Sequence, residues 1–207
     1  MIEVERLTKR YGRHAAVEGL SFTVARGEIV GLLGPNGAGK STIMRVLSGF
    51  MPASSGRVRV AGFDVGRETD EVRRRIGYMP ENNPLHLDMR VREYLKFRAR
   101  IKGLGIAASR DRVDVVTAQC GLDDVSHKII GTLSKGYRQR VGLADALVHE
   151  PPLIILDEPT NHINFRHLPV IAKALDEYEG AMIFVSHVPD FVAQIRIDEE
   201  LDLAKLI

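Results

Sequence analysis

Hydrophobic and polar positions along the first thirty residues alternate as in strands. Ile2 and Val4 are interleaved with Glu3 and Glu5, and the run SFTVARGEIVGLL has a turn at Arg26-Gly27. Glu28-Ile29-Val30-Gly31-Leu32-Leu33 is short and almost wholly apolar, the pattern of a central strand buried on both faces. It runs into a glycine-rich turn at Gly34, and Lys40 to Ser48 then predicts a helix stopped by Gly49. Residues 56–65 predict a two-strand hairpin with Ala61-Gly62 at its turn. From Val91 to Cys120 the period changes. VREYLKFRARIKGL and SRDRVDVVTAQC predict two amphipathic helices split by a breaker region at Gly103–Ala108, with Arg92 and Arg98 expected on the exposed side. Strand and helix alternate again afterwards: a second buried strand at Leu153–Leu156, a helix over 166–179 and a third buried strand at Ala181–Val185. Buried strands separated by helices imply a parallel sheet with right-handed crossovers.

Composition narrows the class without choosing a function. With 207 residues, 44% of them apolar and 27% charged, the chain is long enough to bury a substantial core. Its 29 basic and 27 acidic residues leave a net charge of +2, so no nucleic acid is expected as a partner. Cys120 is the single cysteine, which excludes an internal disulfide and a thiolate metal cluster and suits a reducing compartment. No apolar run is long enough to cross a bilayer, and the opening MIEVERLTKRYG lacks an uninterrupted apolar leader. A cytoplasmic protein is expected, held at a membrane only through something else.

The strongest chemical signal is Gly34-Pro35-Asn36-Gly37-Ala38-Gly39-Lys40-Ser41, a full match to G-x-x-x-x-G-K-[ST] between a buried strand and a helix, followed by Thr42. Glycines let successive backbone N–H groups point inward around a phosphate, and the helix start adds its positive end. Lys40 would reach the β- and γ-phosphates of ATP, and the Ser41 hydroxyl would ligate Mg²⁺. The apolar strand Leu153–Leu156 delivers Asp157 and Glu158 to the carboxyl edge of the sheet, where open α/β sheets bind ligands. There Asp157 can hold the metal ion and Glu158 can orient or deprotonate the attacking water.

Together with Leu133-Ser134-Lys135-Gly136-Tyr137-Arg138-Gln139, these residues resemble the ABC ATPase family over most of the chain. The last segment looks like its signature motif in the LSxGxxQ form. Ser134 is placed to cap a helix, and Gly136 would permit a phosphate close to the helix N-terminus. The resemblance implies a P-loop NTPase core of the RecA-like α/β class, with a parallel sheet, an N-terminal antiparallel β subdomain and a helical insert. One ATPase domain would span 1–207, its β subdomain and P-loop core over about 1–80, the insert over about 85–135, and the core again over about 136–207. The family reads ATP in composite sites of a head-to-tail dimer, or with a paired second ATPase domain, each signature closing over the other copy's nucleotide. Tyr11 matches the aromatic on which adenine stacks, and His187, in FVSH, the switch histidine near the γ-phosphate. In Ile76-Gly77-Tyr78-Met79-Pro80-Glu81, Glu81 stands where most members have a glutamine, and its oxygen can serve Mg²⁺ or the attacking water.

GYMPENNPLHLDMRVREYL and LSKGYRQR are particularly similar to exporters of the multidrug, gliding-motility and polysaccharide type. That implies ATP hydrolysis coupled to transport, transmembrane permease subunits as partners, and a place on the cytoplasmic face of the membrane. The segment after DEPT departs from this: Asn164 stands where the D-loop aspartate would be, and DEPTNH and FVSHVPDFV look more like soluble ABC-F proteins acting on ribosomes. Such a ribosomal ATPase, or a nucleotide-binding scaffold with impaired hydrolysis, is the alternative.

Overall fold

The alternation at the N-terminus folds into an antiparallel sheet whose inner face is apolar. In a computed structural model, which describes residues 1–160 and 167–203, β1 (Ile2–Tyr11) pairs with β2 (His14–Val24) and with β4 (Ser55–Val60), and β4 pairs with β5 (Phe63–Asp64). Ile2, Val4, Val58 and Val60 are buried on one face while Glu3, Glu5 and Arg57 stand outside. The expected hairpin is present. Ala61 and Gly62 have φ of 51° and 87°, as a tight type I′ connection demands.

The second sheet is parallel, with strand order β6-β7-β8-β3-β9, where β3 is Ile29–Leu33, β6 Ile76–Met79, β7 Leu153–Asp157, β8 Ala181–Val185 and β9 Glu199–Asp202. Its central strands are buried on both faces, and the period of two sends alternate side chains to two different cores. Val30, Leu32, Leu153, Ile155, Ile183 and Val185 join the β subdomain and helix α1 (Lys40–Leu47). Ile29, Ile154, Leu156, Met182 and Phe184 join the helical side instead. Each such side chain contributes about 1.5–3 kcal/mol of burial, so the central strands are committed to both halves at once.

The helical side comprises α3 (Val91–Ile101), α4 (Ile106–Gln119), α5 (Lys135–Leu147) and α6 (Leu168–Asp176). Val91, Tyr94, Leu95 and Ala99 form the buried stripe of α3, and Val113, Val116 and Cys120 that of the α4 segment. Short helices α2 (Thr69–Arg75) and α7 (Pro189–Val192) and two single 3-10 turns at Asp123–Val125 and Ile130–Thr132 complete the described elements.

Three sequence expectations need correction. The break between the insert helices ends at Gly105, because Ile106-Ala107-Ala108 already belong to α4; Ala and Ile join a helix at little cost once Gly105 has turned the chain. The helix expected over 166–179 is Leu168–Asp176 among the described residues, with Pro169 in its first turn. Arg92 and Arg98 are not free surface cations. Arg92 pairs with Asp114 of α4, and Arg98 Nε donates to Asp145 Oδ1 of α5 at 2.8 Å. Periodicity locates a face; it does not reveal that a polar partner from another helix covers it.

Candidate functional site

The turn between β3 and α1 is shaped by glycines at positive φ. Gly37 and Gly39 sit at φ 85° and 89°, and Gly39 is the residue from which α1 starts. A Cβ on Gly39 would run into the backbone oxygen of Ala16 and lie 2.8 Å from Val17 Cγ2. Lys40 follows at once and is only 7% exposed. Its ammonium donates to the carbonyl oxygens of Gly34 at 2.6 Å and Pro35 at 2.9 Å, and Pro35 O also accepts from Ala38 N–H. The positive charge is thus stored over the loop's own oxygens.

One turn further, Ser41 Oγ donates to Asp157 Oδ1 at 3.2 Å, joining the start of α1 to the end of β7 across 116 residues. Asp157 is 2% exposed. Burial pushes its carboxyl above the usual range, the Ser41 hydroxyl partly offsets this, and the charges of Glu81 and Glu158 push it further up. Negative charge gathered in this way suits a cation. Among the described residues no group of three or more His, Cys, Asp or Glu side chains is close enough to hold a metal alone. Mg²⁺ takes only one or two protein oxygens and fills its octahedron with phosphate and water. Ser41 and Asp157 are already joined there, and Glu81 is near enough for its charge to act on Asp157.

Glu158 has φ 53°, a left-handed conformation rare for a residue with a side chain and worth about 1–3 kcal/mol of strain. The turn is pinned by the Glu158 N–H donating to Val185 O at 3.0 Å. It aims the carboxylate at His187, whose Nε2 lies 3.2 Å from Oε1 and whose backbone N–H donates to Oε2 at 3.3 Å. The ends of β7 and β8 are also joined by buried Thr160 and Ser186, their hydroxyl oxygens 3.4 Å apart. The sequence reading passed over this pair. Its only signal is that each hydroxyl follows an apolar strand.

A cavity of 430 Å³ collects Asn36, Gly37, Gly39, Lys40, Ser41, Thr42, Glu81, Glu158 and His187, with Ala16 and Val188 as further wall. Tyr11 is not part of that wall. It ends β1, is 46% exposed, and leans on Met51, with Oη 3.1 Å from the sulfur and the Lys9 ammonium over its ring. Ser134 and Gly136 also lie away from the cavity, at the start of α5. Ser134 Oγ accepts from Tyr137 N–H at 3.4 Å and leaves its hydroxyl hydrogen for another acceptor. Gly136 is covered by His167: a Cβ there would lie 2.7 Å from His167 Nε2. The room its missing side chain leaves is filled by this imidazole, whereas the sequence suggested a phosphate. What remains available at the helix end is backbone N–H and the Ser134 hydroxyl. Asn164 lies outside the described residues.

Behind the cavity, between the sheet edge at β6 and the insert, is a cleft of 830 Å³. Phe50 and Ile101 stand exposed at its rim; Arg98, Lys102, Asp145 and His149 form its polar floor, and Glu81 lines both spaces.

A glycine-lined loop entering a helix, with serine and aspartate joined beneath it on a parallel sheet, defines a P-loop nucleotide-binding fold. Residues 17–161 match the ABC transporter family, and the chain belongs to it. It is 36% identical over 190 residues to the linearmycin resistance ATP-binding protein LnrL of Bacillus subtilis (strain 168), covering 90% of this chain and 61% of that protein. It is 41% identical over 165 residues to the daunorubicin resistance ATP-binding protein DrrA3 of Streptomyces coeruleorubidus, covering 80% of this chain and 52% of that one. Among solved structures, an ATP-binding subunit of an ABC transporter superposes with a TM-score of 0.83 at 28% identity, over 91% of this chain and 80% of its own. No described helix is long and apolar enough to cross a membrane.

Proposed function

We propose that the protein hydrolyses ATP to power an exporter, as one of two cassettes that meet head to tail. The observation that carries this is the Ser41–Asp157 link beside Lys40, with Glu158 and His187 lining the same cavity as Lys40 and Ser41. ATP phosphates would take the place of the two carbonyl oxygens now engaged by Lys40, and the N–H groups of the 34–42 turn would close around them. When bound, Mg²⁺ would neutralise charge on the phosphate oxygens. Glu158 would orient the attacking water and accept its proton, and His187, held by that same carboxylate, would serve the γ-phosphate. The adenine would lie on Tyr11, which needs only its exposed ring face.

Ser134 and the first turn of α5 would serve the nucleotide of the second cassette. Transmembrane permease subunits would hold the protein on the cytoplasmic side of a membrane, docking a short segment in the 830 Å³ cleft, whose apolar rim and charged floor suit an amphipathic helix. Two of its relatives are named for resistance to linearmycin and to daunorubicin, and an exported antibiotic-like compound would suit this chain as well.

Lys40→Ala tests the site. Turnover and nucleotide affinity should each fall at least about tenfold, because Lys40 supplies charge to phosphate. Values within twofold of the parent would overturn the assignment.

A further inference from the structure

The loop after β6 reaches further than the cavity it borders. Two residues beyond Glu81, the Asn83 side-chain amide donates to Gln139 Oε1 on α5. Gln139 is 5% exposed, so its Oε1 meets Asn83 out of contact with bulk water. One turn along α5 lies Gly142, and a Cβ there would sit 2.5 Å from Asn83 Cγ. Asn83 therefore occupies a notch in α5 that any larger residue at position 142 would fill. At its far end the same helix is fixed to β6 itself, because a Cβ on Gly77 would collide with the backbone of Ala146. Neither Asn83 nor Gln139 lines the nucleotide cavity.

From these contacts we infer that Asn83 and Gln139 are positioning residues for the composite ATP site: they set the tilt of α5, and so the reach of Ser134 into the partner copy. The inference rests on the head-to-tail reading above. Geometry gives the lever. Ser134 lies twelve residues before the Ala146 anchor, about 18 Å along the helix axis. A tilt of about 10° at the anchor would swing Ser134 by about 3 Å, enough to break any hydrogen bond to a phosphate. The Asn83 clasp, about 10 Å from the anchor, is a side-chain contact that opposes such a tilt from the loop after β6. Because the clasp belongs to the Glu81 loop, which also walls the cleft, a displacement of that loop moves the signature end of α5. A buried amide pair that served packing alone would affect stability and nothing else.

The test uses Glu158→Gln protein with ATP and Mg²⁺, comparing dimer affinity by sedimentation with ATP binding to the monomer at low protein concentration. Gln139→Met keeps volume but ends the hydrogen bond, and Gly142→Ala evicts Asn83 without removing a polar group. Each should weaken the ATP-dependent dimer at least about tenfold while monomer binding stays within twofold. The exchange Asn83→Gln with Gln139→Asn, which keeps donor, acceptor and combined length, should recover most of the loss. Variants that lose thermal stability yet dimerise like the parent would overturn the inference. A Glu158→Gln parent that stays monomeric would instead overturn the head-to-tail reading, and the inference with it, before any variant is made.

Discussion

The nucleotide cavity and the cleft behind it share the loop after β6, yet they are built in opposite ways. The cavity is made of backbone and strand ends: Gly37 and Gly39 at positive φ, Glu158 just past β7, His187 just past β8. Its chemistry depends on where the main chain turns, and short motifs report that. The cleft floor is made of side chains that meet from distant segments. Asp145 accepts from Arg98 Nε and from Tyr94 Oη at 2.9 Å, while Lys102 Nζ donates to Arg73 O and Ile76 O. The first site is specified by conformation and the second by pairing, so they should fail differently when damaged.

The largest effect should come from breaking the conformation of the first. Gly39→Ala places a methyl against the Ala16 carbonyl at a φ that Cβ-bearing residues resist. About 3 kcal/mol of stability should be lost, a fall in Tm of roughly 6–12 °C for a chain of this size, with ATP affinity down by tenfold or more. A thermal melt with and without ATP checks both. An unchanged nucleotide-induced rise in Tm would show that the loop tolerates the methyl.

That contrast explains what the sequence disclosed. The three central strands were legible because a strand buried on both faces must be almost continuously apolar, as Leu153–Leu156 is. The P-loop was legible because its glycines and lysine are adjacent in the chain. The edge strands were not: β6 has four residues with Gly77 among them, and β9 reads Glu-Glu-Leu-Asp, with both glutamates exposed at the sheet margin. Arg98–Asp145 and Asn83–Gln139 were equally hidden, since 47 and 56 residues separate the partners and neither half carries a local signal. The arginine at 98 looked like a solvated face residue for that reason.

An intermediate effect should follow from unpairing the cleft floor. Asp145→Ala leaves the half-buried Arg98 guanidinium and the buried Tyr94 hydroxyl without their acceptor, at a cost of about 2 kcal/mol, or 4–8 °C in Tm. Arg98→Met in the same chain should return at least half of that by removing the stranded charge. The exposed Arg10–Glu18 pair is the contrast: Glu18→Gln should change stability by less than about 0.5 kcal/mol. If Asp145→Ala were equally silent, the cleft floor would be solvated in practice and its pairing would specify nothing.

A smaller effect than unpairing the cleft floor sharpens the same point through pH. His149 Nε2 lies 3.1 Å from Ile76 O, and its Nδ1 is buried without a hydrogen-bond partner. Burial lowers its pKa to about 3, and the nearby charges of Lys102, Arg98 and Arg112 add to that, against the Ile76 carbonyl, which opposes it. In the unfolded chain the imidazole takes up its proton as pH falls through about 6.5. Between about 6.5 and 3 the unfolded state therefore binds more protons than the native one, so this group lowers stability as pH falls across that window and has no effect above it. The ceiling is about 1.4 kcal/mol per pH unit, and access of water from the cleft reduces it. About 1 kcal/mol between pH 6.5 and 5 is expected, or 2–4 °C in Tm. His149→Gln keeps a donor for Ile76 O and does not titrate. The loss of Tm between pH 7 and 5 should shrink by roughly 3 °C in that variant, while carboxylates such as Asp157 contribute equally to both proteins and cancel. Equal losses in parent and variant would mean that water reaches Nδ1, and that the cleft floor is open enough for its pairing to matter less than the main-chain geometry of the nucleotide cavity.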